Sequence, residues 1–368
     1  MKKTIILLSA VAIFLYGCKN PDGEEDKVGT PTSVSQDKTS IKNGMDQMVS
    51  GVTDLVQGDF LKAVTDFGGV INGESSNDVW MEDMVQGLAN SMSIGTVDGN
   101  GDYAAEGTSD DFRFSLNDYD GVYTYNFITE KFDVSSSDNG LVIVKFPTSP
   151  SMNLNDGELT ISDYTYKDFD IEGDLIPLPK KFSMVLKKSG TKLFSVVLND
   201  VEYETQGDMT IPRLIDLNIY ASPYDMNITF NKSGTKLEMN HVITSEVGET
   251  MEMSGSLTLA HNTFSTISDK DLVLGQVEFT YGSLKAAGSM DIKSLIQIDD
   301  PSVAEFNQYA DIGLYHNNSK IGDLVLVEDS EGEQSINIFY KDGTSEDMDA
   351  AYLQDFIDKV EIEFDTFL

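Results

Sequence analysis

The sequence predicts an α+β fold: a large curved antiparallel β-sheet, a meander of hairpins partly barrel-like in outline, packed on N-terminal helices and a C-terminal helix. Three observations lead there. Apolar residues recur every three or four positions early in the chain and every second position from about residue 101 onward. Turn clusters such as "SSDNG", "KKSGTK", "NKSGTK" and "YHNNSK" separate the alternating runs. One run recurs: "LKKSGTKLFSVVL" (186–198), "FNKSGTKLEMNHV" (230–242) and "LYHNNSKIGDLVL" (314–326) align without gaps.

The helical part comes first. Ile41, Met45, Met48, Val52, Leu55 and Val56 fall on one face and predict a helix over 38–71. Gly44, Gly51 and Gly58 weaken it, each by about 1 kcal/mol against alanine. A second helix is expected from Asn77 or Asp78 to Ser91, with Asp78 as cap and Met81, Met84, Val85 and Leu88 as its stripe. That stripe suits core packing, and it suits an adaptable groove. Residues 38–92 are thus expected to pack on the sheet as a helical segment.

The body, residues 93–368, alternates. Phe112, Phe114 and Leu116 begin the pattern, and Phe182, Met184 and Leu186 share an inward register with Met226, Ile228 and Phe230. Ser-Gly in two repeats suits a bulged hairpin turn with glycine at positive φ, and Asn317-Asn318 tolerates the same region. "KSGTK" lacks the Gly-x4-Gly-Lys spacing of a phosphate loop, so the repeat reads as turn chemistry. Strands apolar on one face need a cover, and the early helices and "SEDMDAAYLQDFIDK" supply it. There Ser345 is the expected cap, with Met348, Tyr352 and Phe356 spaced by four. Val360, Ile362 and Phe364 then alternate as a candidate final strand. "IDDPSVAEFNQYADIG" interrupts the strands, predicting a short helix from Pro301 and leaving open a division near residue 290.

The chain has one cysteine, Cys18, and its position is informative. Lys2 and Lys3 precede an apolar run, Ile5 to Leu15. That run is shorter than the roughly 18 residues a spanning helix needs and has the length of a secretory h-region. It ends Leu15-Tyr16-Gly17-Cys18, which resembles the lipobox of bacterial lipoproteins. The resemblance implies that 1–17 is a signal peptide and that Cys18 becomes an acylated N-terminus. It implies anchoring to the outer membrane, at the cell surface or on the periplasmic face. Residues 18–37 follow as a flexible acidic linker, rich in Pro, Gly, Ser and Thr. Its Asp22, Glu24, Glu25 and Asp26 resemble the export signal of Bacteroidota surface lipoproteins, and the whole layout is similar to hairpin-rich members of that group. With Cys18 acylated, no thiol remains for disulfides or nucleophilic chemistry.

Twenty-five basic and 62 acidic residues give a net charge of −37. Such a charge repels nucleic acid and anionic headgroups and excludes nucleic-acid binding. Asp98, Asn100 and Asp102 in "VDGNGDY" have the alternating spacing of a calcium loop. Tyr103 and Ser109 stand where that pattern wants Gly and Glu, and Asp-Gly-Asn-Gly is equally a turn. Calcium is the cofactor this spacing would suit. Tyr164 and Tyr166 are expected on the strand face opposite Leu159, Ile161, Phe169 and Ile171, where they could stack on a protein or glycan partner. His241 keeps register with Leu237, Met239 and Ile243, while His261 and His316 are distant, so no metal spacing appears. No H-E-x-x-H, G-x-S-x-G, P-loop or dinucleotide fingerprint occurs, and no enzyme is expected. The expected function is a non-catalytic binding or accessory role on a lipid anchor. The alternative is a carrier holding a lipid or other hydrophobic ligand in a groove between sheet and helices.

Overall fold

A computed structural model describes residues 33–59, 116, 119–136, 140–148, 153–171, 174–206, 209–246, 248–330 and 332–367. Cys18, most of the linker, the helix expected at 77–91 and the Asp98/Asn100/Asp102 loop lie outside the described residues.

Sixteen strands form one sheet: β1 (Gly121–Asn126), β2 (Lys131–Ser135), β3 (Val142–Phe146), β4 (Gly157–Ile171), β5 (Asp174–Lys188), β6 (Thr191–Gln206), β7 (Met209–Ala221), β8 (Tyr224–Ser233), β9 (Lys236–Ser245), β10 (Thr250–Leu259), β11 (Leu272–Tyr281), β12 (Leu284–Met290), β13 (Ala310–His316), β14 (Ser319–Glu328), β15 (Gln334–Tyr340) and β16 (Ser345–Asp347). The helices are α1 (Val34–Val56), α2 (Ile292–Leu295), α3 (Val303–Tyr309) and α4 (Gln354–Phe367). From β16 to β4 each strand neighbours the next in sequence, and the order then runs β3-β1-β2. The sheet is not closed, and it is mixed, because β1 and β3 pair in parallel, Val122 opposite Ile143. The antiparallel expectation fails there, where β1 and β2 form a hairpin and β3 lies on the other side of β1.

The repeats are hairpins, as expected, but the first and third turn on two left-handed residues, with the bulge set back along the strands instead of at the turn. Ser189 and Gly190 both take positive φ (50° and 83°), as do Asn317 and Asn318 (49° and 62°). Gly234 turns the middle repeat at φ 60°. Two residues in the left-handed region match the turn to the twist of the strands. A register shift between Leu186 and Lys187 puts the bulge two pairs away from the first turn.

The chain divides into two compact units. The first holds Met1–Val56, Tyr203–Leu214 and Met226–Leu368. Its core lies under α1, where Ile41 meets Leu284, Ala286, Leu314, Ile321, Ile338 and Tyr340. Cross-strand register explains the set: Ala286 opposes Leu314, Ile312 opposes Leu324, and Leu324 opposes Ile338, so all share one face. Each such side chain, fully buried, contributes about 1.5–3 kcal/mol. Gly44 is what lets α1 come close, since a Cβ there would stand 2.0 Å from Leu284 Cδ1. The glycine that lowers helix propensity is the one the packing requires.

α1 begins at Val34, inside the expected linker, because Ser33 and Gln36 close its first turn. The Ser33 N–H donates to Gln36 Oε1 at 3.0 Å, and the Gln36 N–H donates back to Ser33 Oγ at 3.4 Å. At the other end of the chain, Ser345 is not a cap but the first residue of β16. Asp347 takes that role: its Oδ1 accepts from the N–H groups of Asp349 and Ala350 at 2.9 and 3.1 Å. A π-helical turn (Asp349–Leu353) leads into α4, which runs to Phe367, so the expected final strand is helix. Phe356, Val360 and Phe364 also fit a spacing of four, and Ile362, inward in the strand reading, is 63% exposed. Lys359 of α4 donates to Asp46 of α1 at 2.6 Å.

The interruption near residue 290 is not a boundary. Met290 pairs directly with Ala310, so α2 and α3 form an excursion between neighbouring strands. The expected helix is α3, capped by Ser302 with Glu305 in a reciprocal box.

Glu346 ties three elements of this unit together. Its Oε2 accepts from Lys38 Nζ of α1 at 2.8 Å, from the Tyr340 hydroxyl of β15 at 2.9 Å, and from the Tyr352 hydroxyl at 3.2 Å. Burial alone would raise this carboxyl, but the hydrogen bonds from Lys38 and Tyr340 outweigh it and hold it below its usual value. Burial, with the hydrogen bonds to Tyr352 and Glu346, pushes the Tyr340 hydroxyl far up, so it stays a donor.

The second unit holds Gln57–Glu202 and Ile215–Asp225. Leu116, Tyr123, Phe132, Val142, Val144 and Phe146 form its core, with Leu159, Ile161 and Leu186 against them. Thr148 closes one end, donating from N–H and Oγ1 to the two oxygens of Asp156 at 2.8 and 2.7 Å.

A carboxyl with a lowered folded pKa contributes stability above its unfolded value, and that stability is lost as pH falls through the folded value. Urea unfolding from pH 6 to pH 3 should therefore show the parent more stable than Glu346→Gln near pH 6. The difference should shrink steadily below pH 4.5, the ordinary glutamate value. A difference that does not vary with pH would remove Glu346 from this role.

Candidate functional site

The same register that gathers apolar residues under α1 gathers polar ones on the opposite face. Ser254 opposes Asn240, Ser256 opposes Glu238, and both Ser254 and Ser256 then face β11, opposite Glu278 and Gln276. Glu278 in turn opposes Ala287 of β12. Small side chains thus meet in the middle of the face, with longer polar ones around them. The outcome is a hollow of about 560 Å³ lined by Asn231, Lys236, Glu238, Asn240, Glu252, Ser254, Ser256, Gln276 and Glu278, among others.

Two of its carboxylates are held by lysines: Glu238 by Lys236 at 2.7 Å and Glu278 by Lys285 at 3.3 Å. Ser256 Oγ donates to Gln276 Oε1 at 3.1 Å. Hydroxyl, amide and carboxylate groups spread over four adjacent strands, β8 to β11, can hydrogen-bond a polar ligand without any one of them acting as an acid or base. Among the described residues, no group of three or more His, Cys, Asp or Glu is placed to hold a metal ion.

The tyrosine pair is placed differently from the sequence expectation. Ser162 opposes Ser183 and Thr165 opposes Lys181, so Asp163 and Tyr164 together oppose the single residue between them on β5. Asp163 sits at φ 59° and makes the bulge. The extra residue turns Tyr164 inward, onto the core with Leu159 and Ile161, where burial, with a smaller effect from Tyr166, pushes its hydroxyl pKa up. Tyr166, two residues on, is 37% exposed, and the two ring centroids lie 6.2 Å apart. The difference from the expectation lies in Tyr164, which packs against the core.

His241 opposes Met253 on the apolar face. Burial holds its imidazole below the ordinary value, so it sits there neutral. Its Nε2 is buried and has no hydrogen-bond partner among the described residues, unlike the hydrogen-bonded histidine usual on such a face. His261 belongs to a loop, 3.2 Å from Asp271, and His316 ends β13.

The hollow was not visible in the sequence. Glu252, Ser254 and Ser256 are legible as the outward alternates of Met251, Met253 and Leu257. That Ala287 and Gln276 join them depends on hairpin registers that no spacing within one strand encodes.

No known family matches the chain, and no curated protein does. One solved structure is similar in part: a porin-like protein from Bacteroides vulgatus, at 9% identity and a TM-score of 0.18, over 52% of this chain and 90% of that one. No helix among the described residues is long and apolar enough to cross a membrane.

A non-glycine residue at positive φ costs about 1–2 kcal/mol. Asp163→Gly is therefore expected to hold or raise stability, and Asp163→Val to lower it by about 1–2 kcal/mol. Urea unfolding followed by tyrosine fluorescence reads both.

Proposed function

We propose that this chain is a lipid-anchored outer-membrane lipoprotein with a non-catalytic binding role, taking a polar ligand in the hollow across β8–β12. The observation that carries the reading is the two-faced build of the first unit. One face is filled by α1, and the other gathers small polar side chains into a recess of about 560 Å³. The anchor rests on the sequence: a short apolar run ending in a lipobox-like Leu-Tyr-Gly-Cys, with Cys18 the only cysteine of the chain. A sugar or a polar peptide fits the chemistry of the lining, since both exchange hydrogen bonds with amides, hydroxyls and carboxylates. The carrier alternative needs open apolar space between helix and sheet. Under α1 that space is occupied by Ile41, Leu314 and Ile338, the last two 6% and 0% exposed.

Two measurements test the reading. Labelled palmitate should enter the chain in cells and should not enter Cys18→Ala. Arrays of glycans and peptides should give ligands whose binding falls at least about tenfold in Ser256→Tyr, a ΔΔG of about 1.4 kcal/mol, with the thermal midpoint unchanged. Ligands bound equally well by that variant would place the site elsewhere.

A further inference from the structure

The β1–β2 turn holds large apolar side chains in water. Ile128 is 94% exposed and Phe127 37%. Leu154 is 55% exposed, and its neighbour Asn155 donates through Nδ2 to the Tyr125 carbonyl at 2.9 Å, which brings that loop to the same end of β1. Turns of this kind ordinarily carry Gly, Asn, Asp or Ser at such positions.

The turn is firmly built. Asn126 Oδ1 accepts from the N–H groups of Ile128 and Thr129 at 2.9 and 3.3 Å. Asn126 Nδ2 donates to Asp133 Oδ2 at 2.8 Å, and the Glu130 N–H donates to the Asn126 carbonyl at 2.8 Å. The Phe127 ring stands edge-on to Tyr125 at 5.4 Å, and Tyr125 stands edge-on to Phe132 at 5.5 Å. An apolar tip held out by so many contacts has a surface to meet.

We propose that this tip is a bilayer contact, with Phe127, Ile128 and Leu154 entering the headgroup–acyl boundary of a zwitterionic membrane. The proposal rests on the lipid-anchor reading, which keeps a bilayer within reach of the folded body. Two features select a lipid surface over a protein, and a third selects its headgroup. The exposed apolar patch is three side chains, far fewer than the roughly 20–30 residues a side of a stable protein interface. A fluid bilayer needs no matching shape, and apolar side chains add to an acyl anchor where one signal alone holds weakly. The chain's net charge of −37 selects uncharged headgroups over anionic ones.

The test uses the full mature chain with a histidine tag in place of Cys18 and an environment-sensitive fluorophore on Thr129→Cys. The protein is tethered to phosphatidylcholine vesicles through a nickel-chelating lipid. Emission should shift to the blue on tethering and be quenched by spin-labelled acyl chains. Adding Ile128→Asp should reduce the quenching about tenfold, as expected for losing a buried apolar group to a charge. Ile128 touches little else, so the variant keeps the fold. Emission unchanged on tethering, or quenching equal in Ile128→Asp, would overturn the proposal, and a protein partner for the tip would then be the reading to pursue. The artificial tether makes the result independent of native acylation, which palmitate labelling reads separately.

Discussion

A sheet that is apolar on one face must cover that face, and in the first unit α1 does so. Ile41 is 1% exposed against strands β12 to β15, and Gly44 removes the one Cβ that would hold the helix off Leu284. The polar contacts follow the same line across the sheet: Lys38 reaches Glu346 of β16, and the Gln47 carbonyl accepts from the Tyr281 hydroxyl of β11 at 2.9 Å. Long-range contacts of this kind join residues more than two hundred positions apart in the chain. They make the N-terminal helix part of the body that it precedes in sequence.

That arrangement assigns roles to the two faces. Burying the apolar side under a helix leaves the polar side open, and the register of β9 to β12 places Ser254, Ser256 and Ala287 together there. The recess exists because small residues meet across hairpins, while Lys236 and Lys285 neutralise two of the surrounding carboxylates. The second unit solves its own burial problem differently. Its core is built around β1 and β3, the parallel pair, and the turn that leaves β1 carries its apolar residues outward instead of in.

The sequence was most readable where one period ran uninterrupted. The hairpins around Ser189-Gly190, Gly234 and Asn317-Asn318 are where the repeats put them, because turn chemistry is local. Alternation failed where one residue was added: Asp163 bulges β4 and turns Tyr164 inward, though period two placed it outside. It failed again at Val360, Ile362 and Phe364: Val360 and Phe364 also continue a spacing of four from Phe356, and Ile362, which fits only the strand period, is left 63% exposed on the helix. The start of α1 was legible in principle, since Ser33-x-x-Gln36 is a capping box, but the polar composition around it read as linker. The hollow and the exposed turn were not legible, for one depends on register between strands and the other on burial.

Hydrogen exchange on the full chain tests the central claim most directly, comparing the parent with Ile41→Asp. A charge buried in the α1 contact should loosen the helix from the sheet. The account predicts faster exchange in α1 and in β12 to β15 together, with the amides of β1 and β3 unchanged. Protection in β12 to β15 that survives the substitution would show that the sheet does not need this helix, and the account of the first unit would fail.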